Sequence, residues 1–533
     1  MDVWSWICEL TDSDKWAESH SPLVFELASS RPSRDESSTQ SIQLRASRSF
    51  GADSDEFLTF SVCLQGFRSS TQEMETINLW VSDACPLSSD KPFLPLVLQL
   101  LQEIVSRSPS PNNSTCPRSQ LQQLKPYPVS WFLDSHSSES LSSFFSLIFL
   151  AHLFWLCVFD APSEVGSFYF HSLLYPNLKT FTTSMQVPIL RTFLILVGVD
   201  VELCLMRTIG YMLAKWFIVR EVGAGLQSLT PLPSENLGFS YATESHGLWV
   251  MKGYSPIWAM TRTGGANGQK NQFNIIEVKE SVLRYALAHH QLEAVIQLEY
   301  SVKFNDGFIL VNARIDNLRF NMAKLGFHKT DDDVYADERH FPSRIRVWVG
   351  PEIGSSSAAT LSLGRSTENG ETQHETQKIL KGSFGKLKVP KVKAMSRTST
   401  KTRTRNWRWD QDAEGNAAIF ESVFCDNTTG TEIATWKPPN DRPSENSVRN
   451  RYAGARRAFT KSGGLVLAGD ECGESVGWRL SREMEGSVLK WRIGCRVWVS
   501  YWPNCIKTSY WETRCVEWCD EVDLPLIPNR VAQ

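Results

Sequence analysis

The chain has 533 residues, 42% hydrophobic and 21% charged, with a formal net charge of -3. This is enough apolar material for about two to four domains, so a wholly disordered or fibrous chain is excluded. Near-neutral charge excludes a global electrostatic attraction to nucleic acid or membrane, leaving only a local cluster to supply one. Twelve cysteines are spread from Cys8 to Cys519 without the dense spacing of a disulfide scaffold, and the first residues, MDVWSWICELTDSDKW, contain no apolar signal segment. The expectation is reduced thiols in an intracellular protein, cytoplasmic or nuclear, for which the sequons at Asn112, Asn113 and Asn427 are idle.

In chain order, residues 41–48, 56–65 and 76–82 alternate as strands, and 92–106 (PFLPLVLQLLQEIVS) has helical periodicity, giving a small α+β unit over 1–106. The stretch RSPSPNNSTCPRS at 107–119 is too polar to pack and reads as a linker, with Ser108 and Ser110 before prolines as possible phosphorylation sites. Residues 120–232 form an expected helical domain, with Asp200 suited to cap its last helix and Gly223 to end it.

Within that domain 141–159 has no formal charge and is long enough to span a bilayer. Ser142, Ser143, Ser146 and His152 interrupt it, and neighbouring 188–219 carries Arg191, Asp200, Glu202 and Arg207. A helix buried in protein is therefore expected, with a single membrane pass as the alternative.

From 236 to 522 the pattern turns to antiparallel β, with a tail expected at 523–533. Its clearest segment is EAVIQLEYSVKF (293–304), turned by Asn305-Asp306-Gly307 into FILVNARIDNLRF (308–320). Further runs at 344–349, 385–405, 416–424, 463–468 and 487–502 complete a sandwich or irregular barrel. The fold class is thus multidomain α+β.

Five features invite a chemical reading. Gly473-Glu474-Ser475-Val476-Gly477 matches the nucleophile-elbow pattern, but every histidine precedes Ser475, so a glycine-rich turn accounts for it better. Asp410, Asp412, Glu414, Gly415 and Glu421 have calcium-loop spacing, yet strand-like sequence flanks them and an acidic hairpin is expected. Cys495, Cys505, Cys515 and Cys519 lack a C-x-x-C pair and sit among tryptophans, as core cysteines would. His289-His290 and Asp331-Asp332-Asp333 read as solvated loops. No catalytic set, cofactor motif or metal site emerges.

The remaining feature is basic. Residues 378–408 hold eleven Lys or Arg and no acid, which leaves the rest of the chain at -3 - 11 = -14. In SRTSTKTRTRNWRW an extended strand puts Arg397, Lys401, Arg403 and Arg405 on one side and Ser396, Thr398, Thr400, Thr402 and Thr404 on the other. Such a strand can track phosphates of nucleic acid or an acidic membrane surface, with Arg408 beyond it and Trp407 or Trp409 for stacking. A charged edge strand that resists aggregation is the structural alternative.

The stretches PSEVGSFYFHSLLYP (162–176), KESVLRYALAHHQLEAVIQLEYSV (279–302) and NWRWDQDAEGNAA (406–418) resemble a land-plant family of uncharacterised proteins, over most of the chain. The resemblance implies a plant source and assigns no activity, cofactor or site residue. The function expected is a non-enzymatic binding or scaffold protein with a basic strand. An enzyme with a dispersed site is the alternative.

Overall fold

The computed structural model describes residues 2–11, 16, 21–30, 39–51, 55–67, 76–109, 124–178, 187–223, 238–258, 289–324, 339–352, 358–364, 370–383, 391–404, 407–425, 432, 464–502 and 512–528. Two compact units result: Met1–Phe239, Tyr254–Leu292 and Ala323–Tyr335 form the first, and Ser240–Gly253, Glu293–Met322 and Ala336–Gln533 the second.

In the first unit α1 (Val3–Glu9) is capped by Asp2, whose carboxylate accepts from the Ser5 amide. Four strands, β1 (Leu23–Ser29), β2 (Ser41–Phe50), β3 (Glu56–Gln65) and β4 (Ile77–Val81), make an antiparallel meander, with the short β5 (Cys85–Pro86) also on β3. The alternation read in the sequence becomes one face packed on helices: Leu44, Ala46, Leu58, Phe60 and Val62 are fully buried. The helices are α2 (Leu94–Arg107), α3 (Pro126–Asp134), α4 (Ser138–Phe159), α5 (Ser163–Tyr169), continued by one π turn over Phe170–Leu174, then α6 (Val187–Val197) and α7 (Val199–Gly223). Asp200 lies in the first turn of α7, whose entry is made by Gly198 at φ 89°.

Every residue of α4 from Phe144 to Val158 is buried. Trp4 of α1 packs on Phe145 at 5.0 Å and on Phe93 at 6.4 Å, and Trp80 of β4 meets His152 at 4.8 Å. Sheet and helices thus share one core. The sequence reading placed 1–106 and 120–232 in separate domains; a helix apolar on all sides is covered only by surrounding it with the N-terminal strands and helices. α4 is, among the described residues, the one helix long and apolar enough to cross a membrane. Residues 110–119 of the expected linker lie outside the described residues, as do 120–123 of the expected helical domain.

The second unit is largely a β-sandwich, whose strands also take in Phe239, Tyr254–Trp258, His289–Leu292 and Ala323–Lys324. One sheet has the order β11 (Ala358–Ser362), β17 (Val476–Ser481), β9 (Phe308–Lys324), β8 (His289–Phe304), β7 (Leu248–Trp258), β6 (Phe239–Ser245), with β16 (Leu465–Ala468) also on β9. The other runs β14 (Trp407–Glu414), β15 (Ala417–Phe424), β10 (Arg339–Pro351), β18 (Val488–Trp502), β19 (Glu512–Pro525). β12 (Gly370–Ser383) and β13 (Lys391–Thr404) form a separate two-stranded sheet.

Between the two large sheets the core is tryptophan-rich. Trp491 contacts Trp249 at 5.3 Å and Trp478 at 4.7 Å, and Trp249 stacks on Tyr300 at 4.5 Å. Gly253 leaves room for Trp518, whose ring lies 2.5 Å from where a Cβ would stand. The boundary expected at 522 is corrected, since β19 runs to Pro525 and both Leu524 and Leu526 are buried. Alternation with Asp523 carries the strand on, and the Leu526 amide bonds to the Ser487 carbonyl.

Candidate nucleic-acid interface and other candidate sites

The basic segment occupies the β12–β13 hairpin and the start of β14. The two strands pair without a bulge from Gly370↔Thr404 to Ser383↔Lys391, fourteen residues each, which gives a ribbon about 45 Å long. Register sets Arg397 opposite Gln377, Lys401 opposite Gln373 and Arg403 opposite Glu371. Of the strand expected at 385–405, residues 391–404 are the returning arm of a hairpin whose first arm, GETQHETQKILKGS, is too polar to reveal itself by apolar alternation, and 385–390 lie outside the described residues. Arg405 lies outside the described residues.

Two residues after that gap, β14 begins on the sandwich. Arg408 is largely exposed and pairs with Asp410 at 3.2 Å. Trp407 and Trp409 turn inward, 7% and 1% exposed, with Trp407 against Phe424 at 5.4 Å. This corrects the expectation that either ring is offered for stacking. W-R-W-D is a two-faced strand: its aromatic residues serve the core and its charges serve the surface.

Arg408 opens onto a charged outer sheet face. Arg344 and Arg346 of β10 both pair with Glu421 of β15, Arg346 at 3.2 Å, and Arg496 of β18 pairs with Glu517 of β19 at 2.6 Å. The guanidinium groups of Arg344 and Arg496 lie 4.8 Å and 5.9 Å from the Trp498 ring. Glu421 and Asp410 of the calcium-like spacing are therefore cross-strand neighbours, held by arginines, around a two-residue turn in which Gly415 adopts φ 60°.

Ser475 is exposed in a loop between a 3₁₀ turn and β17, not on the strand-to-helix turn an elbow requires. Cys495 is buried in the sandwich core opposite Trp518, whereas Cys515 and Cys519 sit on the outer face of β19 and are exposed. Strand parity separates them to opposite sides of the sheet, so these three do not share one metal; Cys505 and Asp331-Asp332-Asp333 are outside the described residues. Only the exposed pair was misread as core. Maleimide labelling of the native protein, read by peptide mass spectrometry, is expected to modify Cys515 and Cys519 and to spare Cys495 until denaturant is added. Equal labelling of all three contradicts this placement. His290, expected in a solvated loop, is buried at the start of β8.

A site that the sequence did not disclose lies in the first unit. His152 of α4 is fully buried, and its Nε2 is 2.7 Å from the Glu103 carboxylate of α2. Glu103 also accepts from Trp80 Nε1 at 3.0 Å and Gln99 Nε2 at 3.1 Å, and Gln99 Oε1 in turn accepts from the Asp83 amide at 2.7 Å. Burial by itself would raise the Glu103 carboxyl, but the bonds from His152 and Trp80 outweigh it and hold it at about 2. Burial pushes His152 down, against the opposing pull of Glu103. Neutral His152 therefore donates through Nε2, and its buried Nδ1 has no partner. The arrangement clamps α2, α4 and β4 together. These residues lie 49 and 72 positions apart from one another in sequence, with no motif spacing to announce them.

No protein-family model matches the chain, and no curated protein shows significant similarity to it. Many solved structures are similar over part of it, among them three at 10% identity. They are the Clostridium perfringens NetB toxin in the membrane-inserted form (44% of this chain, 89% of that one, TM-score 0.20), the Clostridium perfringens delta-toxin (54% and 96%, TM-score 0.18) and a pore-forming protein (53% and 94%, TM-score 0.18). Agreement at this level establishes neither a shared fold nor a shared activity.

Proposed function

We propose that the protein is a non-enzymatic binding protein whose β12–β13 hairpin contacts the phosphate backbone of a nucleic acid through charge. The observation that carries this reading is the concentration of eleven cations, with no acid, in residues 378–408 of a chain that is otherwise acidic. That density costs self-repulsion which a polyanion relieves.

Strand geometry favours a nucleic acid over a lipid surface. Residues two apart on an extended strand advance about 7 Å, the rise of two successive phosphates of one strand along a duplex axis, roughly 3.4 Å each. Lys401 and Arg403, on one side of β13, thus keep pace with the axial rise of a phosphate backbone. An acidic membrane surface is the competing partner. With Trp407 and Trp409 buried, contact is electrostatic and independent of base sequence.

Electrophoretic shift with unrelated oligonucleotides, and flotation with phosphatidylserine vesicles, at two salt concentrations test the proposal. Binding to all oligonucleotides alike is expected, with affinity falling as a power of salt concentration. Replacing Lys401, Arg403 and Arg405 together by Ala is expected to flatten the log–log slope by up to about three units. Capture by vesicles alone assigns the hairpin to a membrane, and no binding of either at low salt removes the proposal.

A further inference from the structure

The outer face of the β14–β15–β10–β18–β19 sheet carries a tryptophan that core packing does not use. Trp348 of β10 points away from the sandwich interior and lies over Gly494, its partner on β18. A Cβ at Gly494 would stand 2.1 Å from Cε2 and Cζ2 of that indole, so glycine there is what lets the ring lie down on the neighbouring strand. The Nε1, Cε2 and Cζ2 atoms of the ring lie against Gly494, and Trp348 keeps intermediate exposure, so part of the indole is accessible from the outer face. The second outer tryptophan, Trp498, is instead capped by Arg344 and Arg496.

Around Trp348 the surface is charged but balanced. Arg346 pairs with Glu421, Arg496 with Glu517, and Arg492 with Glu521, across adjacent strands. A polyanion gains little from a face on which these guanidinium groups already have carboxylate partners, Glu421 being shared by Arg344 and Arg346, and its phosphates are repelled by the acids. A neutral polyhydroxylated ring fits better. Its C–H faces carry partial positive charge that sits on the negative face of an indole, while guanidinium groups donate to hydroxyls and carboxylates accept from them.

From this we infer that the outer sheet face around Trp348 is a binding platform for a neutral oligosaccharide, stacked on the indole and hydrogen-bonded by the flanking arginine–glutamate pairs. The inference does not depend on the polyanion reading of the hairpin. The two are separated by salt, because binding of a neutral ligand does not follow the counterion-release slope.

Calorimetric titration of the full chain with cellohexaose, xylohexaose and laminarihexaose tests it. Saturable binding of at least one is expected, unchanged between low and high salt and weakened at least tenfold by Trp348→Ala. Gly494→Ala, which must displace the indole while leaving it present, is expected to weaken binding as well. Should Trp348→Ala fail to fold, saturation-transfer NMR on the wild-type protein shows whether indole and sugar protons are in contact. No binding of any of the three up to about 5 mM overturns the inference. So does binding that Trp348→Ala leaves intact in a variant that melts like wild type, or a response confined to a control oligonucleotide.

Discussion

Trp491→Ala is expected to lower stability by about 3–5 kcal/mol, the range for truncating a large aromatic side chain at a site that cannot collapse. Trp491 of the five-stranded sheet is fully buried against Trp249 and Trp478, both of the facing sheet, so its removal leaves a void where the two sheets meet. Its neighbours are themselves held: Trp478 Nε1 donates to the Asn416 carbonyl at 2.7 Å, and Trp249 is stacked on Tyr300. Neither is free to swing into the gap. Trp491 Nε1 is buried without a partner, so Trp491→Phe loses less, about 1–2 kcal/mol, because part of the lost volume is offset by deleting an unsatisfied donor. Urea denaturation followed by circular dichroism measures both. A drop of about 1 M or more in the midpoint is expected for the alanine variant. An alanine variant within about 1 kcal/mol of wild type would mean that the two sheets are not packed through this residue.

Much of this architecture was legible where one local signal dominates. β8 and β9 follow from strict alternation, with Ile296 and Leu298 buried, around Asn305-Asp306-Gly307, and β2, β3 and α2 follow from equally clear periods. What was not legible depends on partners distant in the chain. The polar arm β12 is extended only because β13 pairs with it, and nothing in its own residues separates it from a loop. β19 continues through Asp523 to Pro525, with Leu526 buried beyond it, because the sandwich core receives alternate residues, so the start of an apparent tail is structural.

The candidate sites divide in the same way. The cations of 378–408 are visible in sequence because they are contiguous. Trp407 and Trp409 were assigned to the wrong face although the alternation W-R-W-D contained the answer: their neighbours Arg408 and Asp410 are the exposed members. The Trp348–Gly494 contact and the His152–Glu103 clamp join elements far apart in the chain, and no spacing rule anticipates either.

The clamp makes stability depend on pH in a direction fixed by its two groups. Folded His152 is held neutral by burial, whereas in the unfolded chain it takes up a proton near its ordinary 6.5. Below that pH the unfolded state binds a proton the folded state refuses, so stability present above 6.5 falls as the solution is acidified. Glu103 follows in a lower window: its folded carboxyl is held at about 2 against an ordinary 4.5, so its contribution is full above 4.5 and is lost as pH falls toward 2. The other charged groups acting on His152 oppose one another, since Arg107 disfavours its proton, Asp160 favours it, and the two pair together. The urea midpoint of the wild-type protein is therefore expected to fall between pH 7 and pH 5, by no more than about 1.4 kcal/mol per pH unit for one proton. His152→Gln keeps a donor for Glu103 but has nothing to titrate, so this slope flattens while stability at neutral pH changes by about 1–2 kcal/mol. His152→Leu removes the donor and leaves a carboxylate short of one bond, costing about 2–4 kcal/mol and moving Glu103 back toward its ordinary range. Equal pH slopes in wild type and His152→Gln would show that the buried histidine is not the group that couples folding of the helices to protons.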